Sequence, residues 1–110
     1  MLDTRILGRW RSDATRTVRE LNARADIPAA SKRRLSKLFG QLEMRFTKTR
    51  CYSTLQGHTE SALYKVVAKD DSSLAIVSEG KISHIHFEGT RFWIVVGTGK
   101  FREYFRRRRS

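Results

Sequence analysis

Apolar positions recur along this chain with two different periods, and the change of period divides it. Leu2 to Arg11 predicts a first strand with Ile6 and Trp10 as its large apolar members, and Gly8 between them permits a bend or a close backbone approach. Ser12 and Asp13 are residue types that cap helix N-termini. Ala14, Val18 and Leu21 follow at spacings of four and three, one face of a short helix running to about Asn22. Asp26-Ile27-Pro28 opens a second helix and Gly40 closes it. Leu35, Leu38 and Phe39 form its apolar stripe, with Lys32, Arg33, Arg34 and Lys37 over the remainder.

Beyond Gln41 the period falls to two. Leu42 to Thr49 and Arg50 to Leu55 read as two strands or one long bent strand, rich in Thr and aromatic residues that suit a pleated, half-buried surface. Gln56-Gly57 turns the chain into a strand over Ala62 to Lys69, and Asp70-Asp71 leads to one over Leu74 to Ser78. Glu79-Gly80 joins that strand to Lys81 to Phe87, Glu88-Gly89 leads to Arg91 to Val96, and Gly97-Thr98-Gly99 precedes the last strand, Phe101 to Arg107. Connections this short make sequence neighbours spatial neighbours. The pattern therefore predicts a mainly β chain with two short helices between strands 1 and 2. Its seven or eight strands form an antiparallel up-and-down β-barrel, closed by pairing the first strand with the last so that no edge is left bare.

Length and composition agree with one domain over residues 1–110, with a helical insertion at about 13–40 and a basic tail at about 106–110. A chain of this size buries roughly two thirds of its unfolded surface, enough for one core without staples. No run of about 18 apolar residues is present to span a membrane. The first residues lack a basic stretch followed by an apolar one, so the expectation is a cytoplasmic protein, although a chain whose leader had been removed would read the same way. Cys51 is the single cysteine and reads as a small buried hydrophobe. No cofactor is expected, and the chain is read as a monomer or homodimer.

The net charge of +12 is unevenly spread. Residues 1–40 hold ten Lys and Arg against four acids, residues 41–99 seven against six, and residues 100–110 six against one. Summed this way the strands are nearly neutral. The positive field is expected on the helices and the tail, which argues against a strand surface that grips nucleic acid.

Gly8-Arg9-Trp10 in the first strand, with an arginine in the last strand able to lie over the indole, resembles the structural signature of the lipocalin and calycin superfamily. Gly8 and Trp10 match the opening motif, and Arg102 or Arg106 is the candidate cation. The set Gly8, Trp10, Ser12, Asp13 and Thr17, with Trp93 and Arg102-Glu103-Tyr104-Phe105, is also similar to small uncharacterised bacterial lipocalin-like proteins. The resemblance implies a barrel whose seam is sealed by a cation on an aromatic face. A helical stretch in place of the usual first loop departs from that pattern and argues for a shallow interior. Alternation in the last strand sets Arg102, Tyr104 and Arg106 on one face, with Phe101, Glu103 and Phe105 on the other.

Candidate chemistry is sparse. A ligand inside the barrel would meet one alternating set from each strand, with Tyr64, Val66, Leu74, Ile76, Ile85, Phe87, Trp93 and Val95 as candidates, though alternation alone leaves the inward set open for several strands. His84, His86 and Glu88 share a strand face with Ile82, an arrangement that could hold a metal, with His58 as a third imidazole only if the barrel brings it close. Asp13, Glu60, Glu88 and Glu103 are candidates for acid and base work, Asp13 more simply as a helix cap. Lys32, Arg33, Arg34 and Lys37, with the Arg106 to Arg109 run, form an anion-binding candidate. Tyr52, Tyr64, Phe92, Trp93 and Tyr104 are aromatics that fill the barrel or stack on bases.

Three readings follow. The first is a lipocalin-like module binding a small apolar or anionic ligand. The second is an electrostatic binder of nucleic acid or another acidic macromolecule through the basic helix and tail, and the third a hydrolase-type enzyme with a site near His84 and His86.

Overall fold

A computed structural model describes residues 3–96 and 101–108. Its elements are β1 (Gly8–Ser12), α1 (Ala14–Asn22), α2 (Ala29–Ser36), β2 (Glu43–Phe46), β3 (Arg50–Leu55), β4 (His58–Leu63), β5 (Lys65–Lys69), β6 (Ser73–Ser78), β7 (Lys81–Glu88), β8 (Arg91–Val96) and β9 (Phe101–Arg107). The nine antiparallel strands make one sheet in the order β4-β3-β2-β1-β9-β8-β7-β6-β5, curled into a nearly closed barrel. The expected Gly97-Thr98-Gly99 connection, Leu2 and Arg109 lie outside the described residues.

First and last strands do pair, with Trp10 opposite Arg107, Arg11 opposite Arg106 and Ser12 opposite Phe105. That ladder sits in the middle of the sheet, however, and the edges are β4 and β5. The segment expected as one strand from Ala62 to Lys69 divides at Tyr64, and the residues before it, from His58, already belong to a strand, so the count is nine. The chain crosses the seam at this point. Its first half pairs with β3 and its second half with β6, while Ser78 Oγ donates to the Leu63 carbonyl at 2.7 Å across the gap. Tyr64 anchors the crossing through a buried ring, its hydroxyl donating to the Thr47 carbonyl at 2.6 Å.

Two-residue hairpins at Gln56-Gly57 and Glu79-Gly80 have positive φ at both positions, the turn whose twist matches antiparallel strands. They fix the registers of β3 with β4 and of β6 with β7. On the inner side, Phe92 stacks on Phe105 with centroids 4.9 Å apart, and Trp10 meets Phe92 edge to face at 4.7 Å. Phe46, Val66, Leu74, Ile76 and Ile85 complete this cluster, and Ile6 closes it from the entry segment ahead of β1, which starts at Gly8 and not at Leu2.

Helix α1 lies over the outer side of β9. Asp13 caps it by accepting from the Arg16 amide at 3.1 Å, and Thr17 and Leu21 are buried against the barrel wall. Thr17 Oγ1 accepts the Tyr104 amide at 2.8 Å, satisfying a strand donor that β1 does not reach. The second helix is shorter than expected, eight residues capped by Pro28, and buries none of them. Leu38, expected in its stripe, is 62% exposed, and Phe39 lies beyond the helix against Phe101. No helix among the described residues is long and apolar enough to cross a membrane.

Candidate functional site

The cation over Trp10 is Arg107, 4.2 Å from the ring, and neither Arg102 nor Arg106. Register explains the correction. Trp10 and Arg107 are direct cross-strand partners and so share the inner face, whereas Arg102 and Arg106 point outward. Arg107 also donates to the Leu7 carbonyl at 2.7 Å and the Arg5 carbonyl at 2.8 Å, tying the entry segment to the barrel end. Gly8 is what lets it pass. A Cβ there would come within 2.8 Å of the Arg107 guanidinium. Arg102 covers a different indole, Trp93, at 3.9 Å.

Of the expected cavity lining, Tyr64, Val66, Leu74, Ile76 and Ile85 are buried in the core and Phe87 packs against it. Trp93 and Val95 are not inward. Phe87 pairs with Phe92 across the β7–β8 ladder, which commits Phe92 to the inner face and turns Trp93 outward against His86, 3.9 Å away and nearly parallel. Desolvation, with the neighbouring His84 and Arg102, holds the His86 pKa below its ordinary value. His84 lies 6.5 Å from His86, and His58 is at the far hairpin beside Glu60. Among the described residues no three His, Cys, Asp or Glu side chains come together as metal ligands. Cys51, on β3 opposite Phe46, is half-buried against the core, its thiol pushed up to about 11 by burial.

The carboxylates play separate parts. Burial raises the Asp13 pKa, but hydrogen bonds from Arg91 (2.8 Å) and the Arg16 amide outweigh it and hold the group below the ordinary aspartate range. Glu103 faces inward and is 8% exposed, with Ser12 Oγ donating to it at 2.8 Å and, among the described residues, no ion pair. Burial therefore raises its pKa, and the Ser12 contact offsets only part of that.

Charge is where the structure departs most from the sequence expectation. Arg9 and Arg11 belong to β1, Arg45 to β2, Arg91 to β8, and Arg106 to β9, so segments that were summed separately meet on one outer surface. Arg91, Arg106 and Arg11 are consecutive cross-strand partners, and so are Arg9 and Arg45. Arg108, expected in a tail, continues the sheet by donating its amide to the Arg9 carbonyl at 2.9 Å. Two acids answer these six cations: Asp13 takes Arg91, and Glu43 takes Arg11 (3.5 Å) and Arg108. Arg9 and Arg106 make no ion pair among the described residues, and Arg45 is held only by the ring of Tyr52, 4.2 Å away.

Two adjoining clefts share Arg9 and Arg45. One, of about 580 Å³, also takes in Gly8, Thr47, Arg107 and Arg108. The other, of about 240 Å³, runs past Glu43, Tyr52, Thr54 and Thr59. Lys32, Arg33, Arg34 and Lys37 stand apart on and just after α2, where Lys32 Nζ donates to the Asn22 carbonyl at 3.2 Å. The residues sequence reading missed, Arg9, Arg11 and Arg45, carried a signal in their alternation, every second position of β1 and the third residue of β2. Only the strand order shows that they coincide. No family model, no curated protein and no solved structure matches this chain.

Proposed function

We propose that the protein binds nucleic acid electrostatically through the outer face of β9, β1 and β2. The observation that carries this reading is the like-charge pairing of Arg91 with Arg106, Arg106 with Arg11, and Arg9 with Arg45. Like charges directly opposite each other on a sheet cost stability. Guanidinium groups cannot relieve the repulsion by losing a proton at working pH. An anion of repeating charge between them relieves it, and the planar, forked donors of arginine match phosphate oxygens. The reading differs from the sequence expectation in location, since rigid strands and not the basic helix present the charge. A small ligand within the barrel is the weaker alternative, because Trp10, Phe92 and Phe105 fill its middle.

The test is a salt series with a labelled oligonucleotide. Four or so phosphate contacts give a slope of about −3 in log affinity against log salt for a single strand. Replacing Arg9, Arg45 and Arg106 with Gln should remove most of that slope, while replacing Lys32, Arg33, Arg34 and Lys37 with Gln should leave most of it. Binding that ignores salt, or that depends chiefly on the α2 cations, would reject the sheet face.

A further inference from the structure

We infer that the ligand is single-stranded, with one unpaired base packed on the ring of Tyr52; this rests on the proposed nucleic-acid reading. Tyr52 stands on the outer face of β3, half-buried, between two cross-strand neighbours of unequal size. On the β2 side Arg45 covers one ring face at 4.2 Å. On the β4 side the partner is Ser61, too short to cover the other face, and among the described residues no ring or cation is stacked there. Arg50 reaches across to Ser61 Oγ at 3.3 Å, so the cross-strand neighbour of Tyr52 is itself held by a guanidinium. Strand β4 is a sheet edge with exposed residues, so a chain can approach from the side.

The neighbouring groups suit a nucleotide. Arg9 and Arg45 are shared between the cleft beside Tyr52, which Glu43 also lines, and the larger one reaching Arg107 and Arg108, so phosphates flanking a base on Tyr52 meet a run of guanidinium groups that leads away from it. Polarised by Arg45 behind it, the ring becomes the middle layer of a guanidinium–phenol–base stack. A base inside a duplex already has both faces covered by its neighbours and offers none to such a platform. The site therefore selects strands whose bases are free.

The discriminating experiment compares oligothymidylate with inorganic polyphosphate, which has the charge but no base. Tyr52→Leu is expected to weaken oligothymidylate roughly 5- to 100-fold at fixed salt, the range of one base stack, with the salt slope unchanged. Polyphosphate affinity should not move, and Tyr52→Phe should bind as the unaltered protein does. In that unaltered protein, photocrosslinking to an oligonucleotide carrying halogenated uracil should mark Tyr52, which guards against a folding defect in the variant. Equal loss for both ligands, no loss for either, or crosslinks that avoid Tyr52 would overturn the stacking site while the arginine face stands. Failure of the unaltered protein to bind either polyanion would overturn both.

Discussion

The wall built by β9, β1, β2 and β3 and the wall built by β5, β6 and β7 close over one core, yet their outer rungs are composed differently. On the second wall the rungs read Lys65, Val77, Ile82 and Ala68, Ala75, His84, with no cation opposite another. On the first, arginine faces arginine at two places, and a third such pair, Arg91 with Arg106, joins it to β8. The lesson is that a charge total per segment says little about a sheet, because register decides which charges become neighbours. A wall under mutual repulsion is a wall whose stability and binding pull in opposite directions.

The contrast is broken most sharply by reversing charge. Arg9→Glu with Arg45→Glu should weaken oligonucleotide binding by about a thousandfold near 50 mM salt, whereas Lys65→Glu with Lys81→Glu on the opposite wall should change it about twofold or less, as read by anisotropy titration. Next in size is the seal at the barrel end. Arg107→Gln gives up a cation over a buried indole and two carbonyl contacts and should cost about 2–3 kcal/mol in urea unfolding, while Arg102→Gln, whose indole is on the outside, should cost about 0.5–1 kcal/mol.

A pH test follows from Glu103. Its folded pKa lies above its ordinary value because of burial, so the folded state holds the proton more tightly than the unfolded chain. The resulting stabilisation is present below the ordinary glutamate range and is lost as pH rises through the raised value. Glu103→Gln should therefore stabilise by about 1 kcal/mol at pH 7, keep the Ser12 contact, and gain little in acid, measured as unfolding midpoints across pH. Asp13 and Asp3, both lowered, act in the opposite sense, their contribution fading as pH falls through the aspartate range. The smallest effect is the most telling for the comparison: Arg106→Gln should raise stability by about 0.5 kcal/mol while weakening binding, a trade that a merely structural arginine would not show.

Much of the architecture was legible before any coordinates. Gln56-Gly57 and Glu79-Gly80 announced their turns through residue type, and Ala14, Val18 and Leu21 announced α1 through spacing, because both signals are local. The Trp10 cation was legible in kind but not in position. Choosing Arg107 over Arg102 and Arg106 requires the β1–β9 register, a contact between residues that sequence places far apart. Trp93 failed for a related reason, since alternation gives two faces without saying which is inner, and only the Phe87–Phe92 rung settles it. The arginine face was hidden by bookkeeping along the chain, with Arg9 and Arg11 counted among helical residues and Arg106 to Arg108 as a tail.

The pairing of β1 with β9 also sets an order of events. Ser12 and Glu103, joined by a hydrogen bond, are 91 residues apart, so β1 acquires its second neighbour only after nearly all the other strands have been made. Loop closure over such a span is slow and unrewarded until it is complete. During synthesis the Trp10 edge therefore waits unpaired as the ribosome extends the remainder, and the step that finally shelters it is the one that brings Arg106 against Arg11.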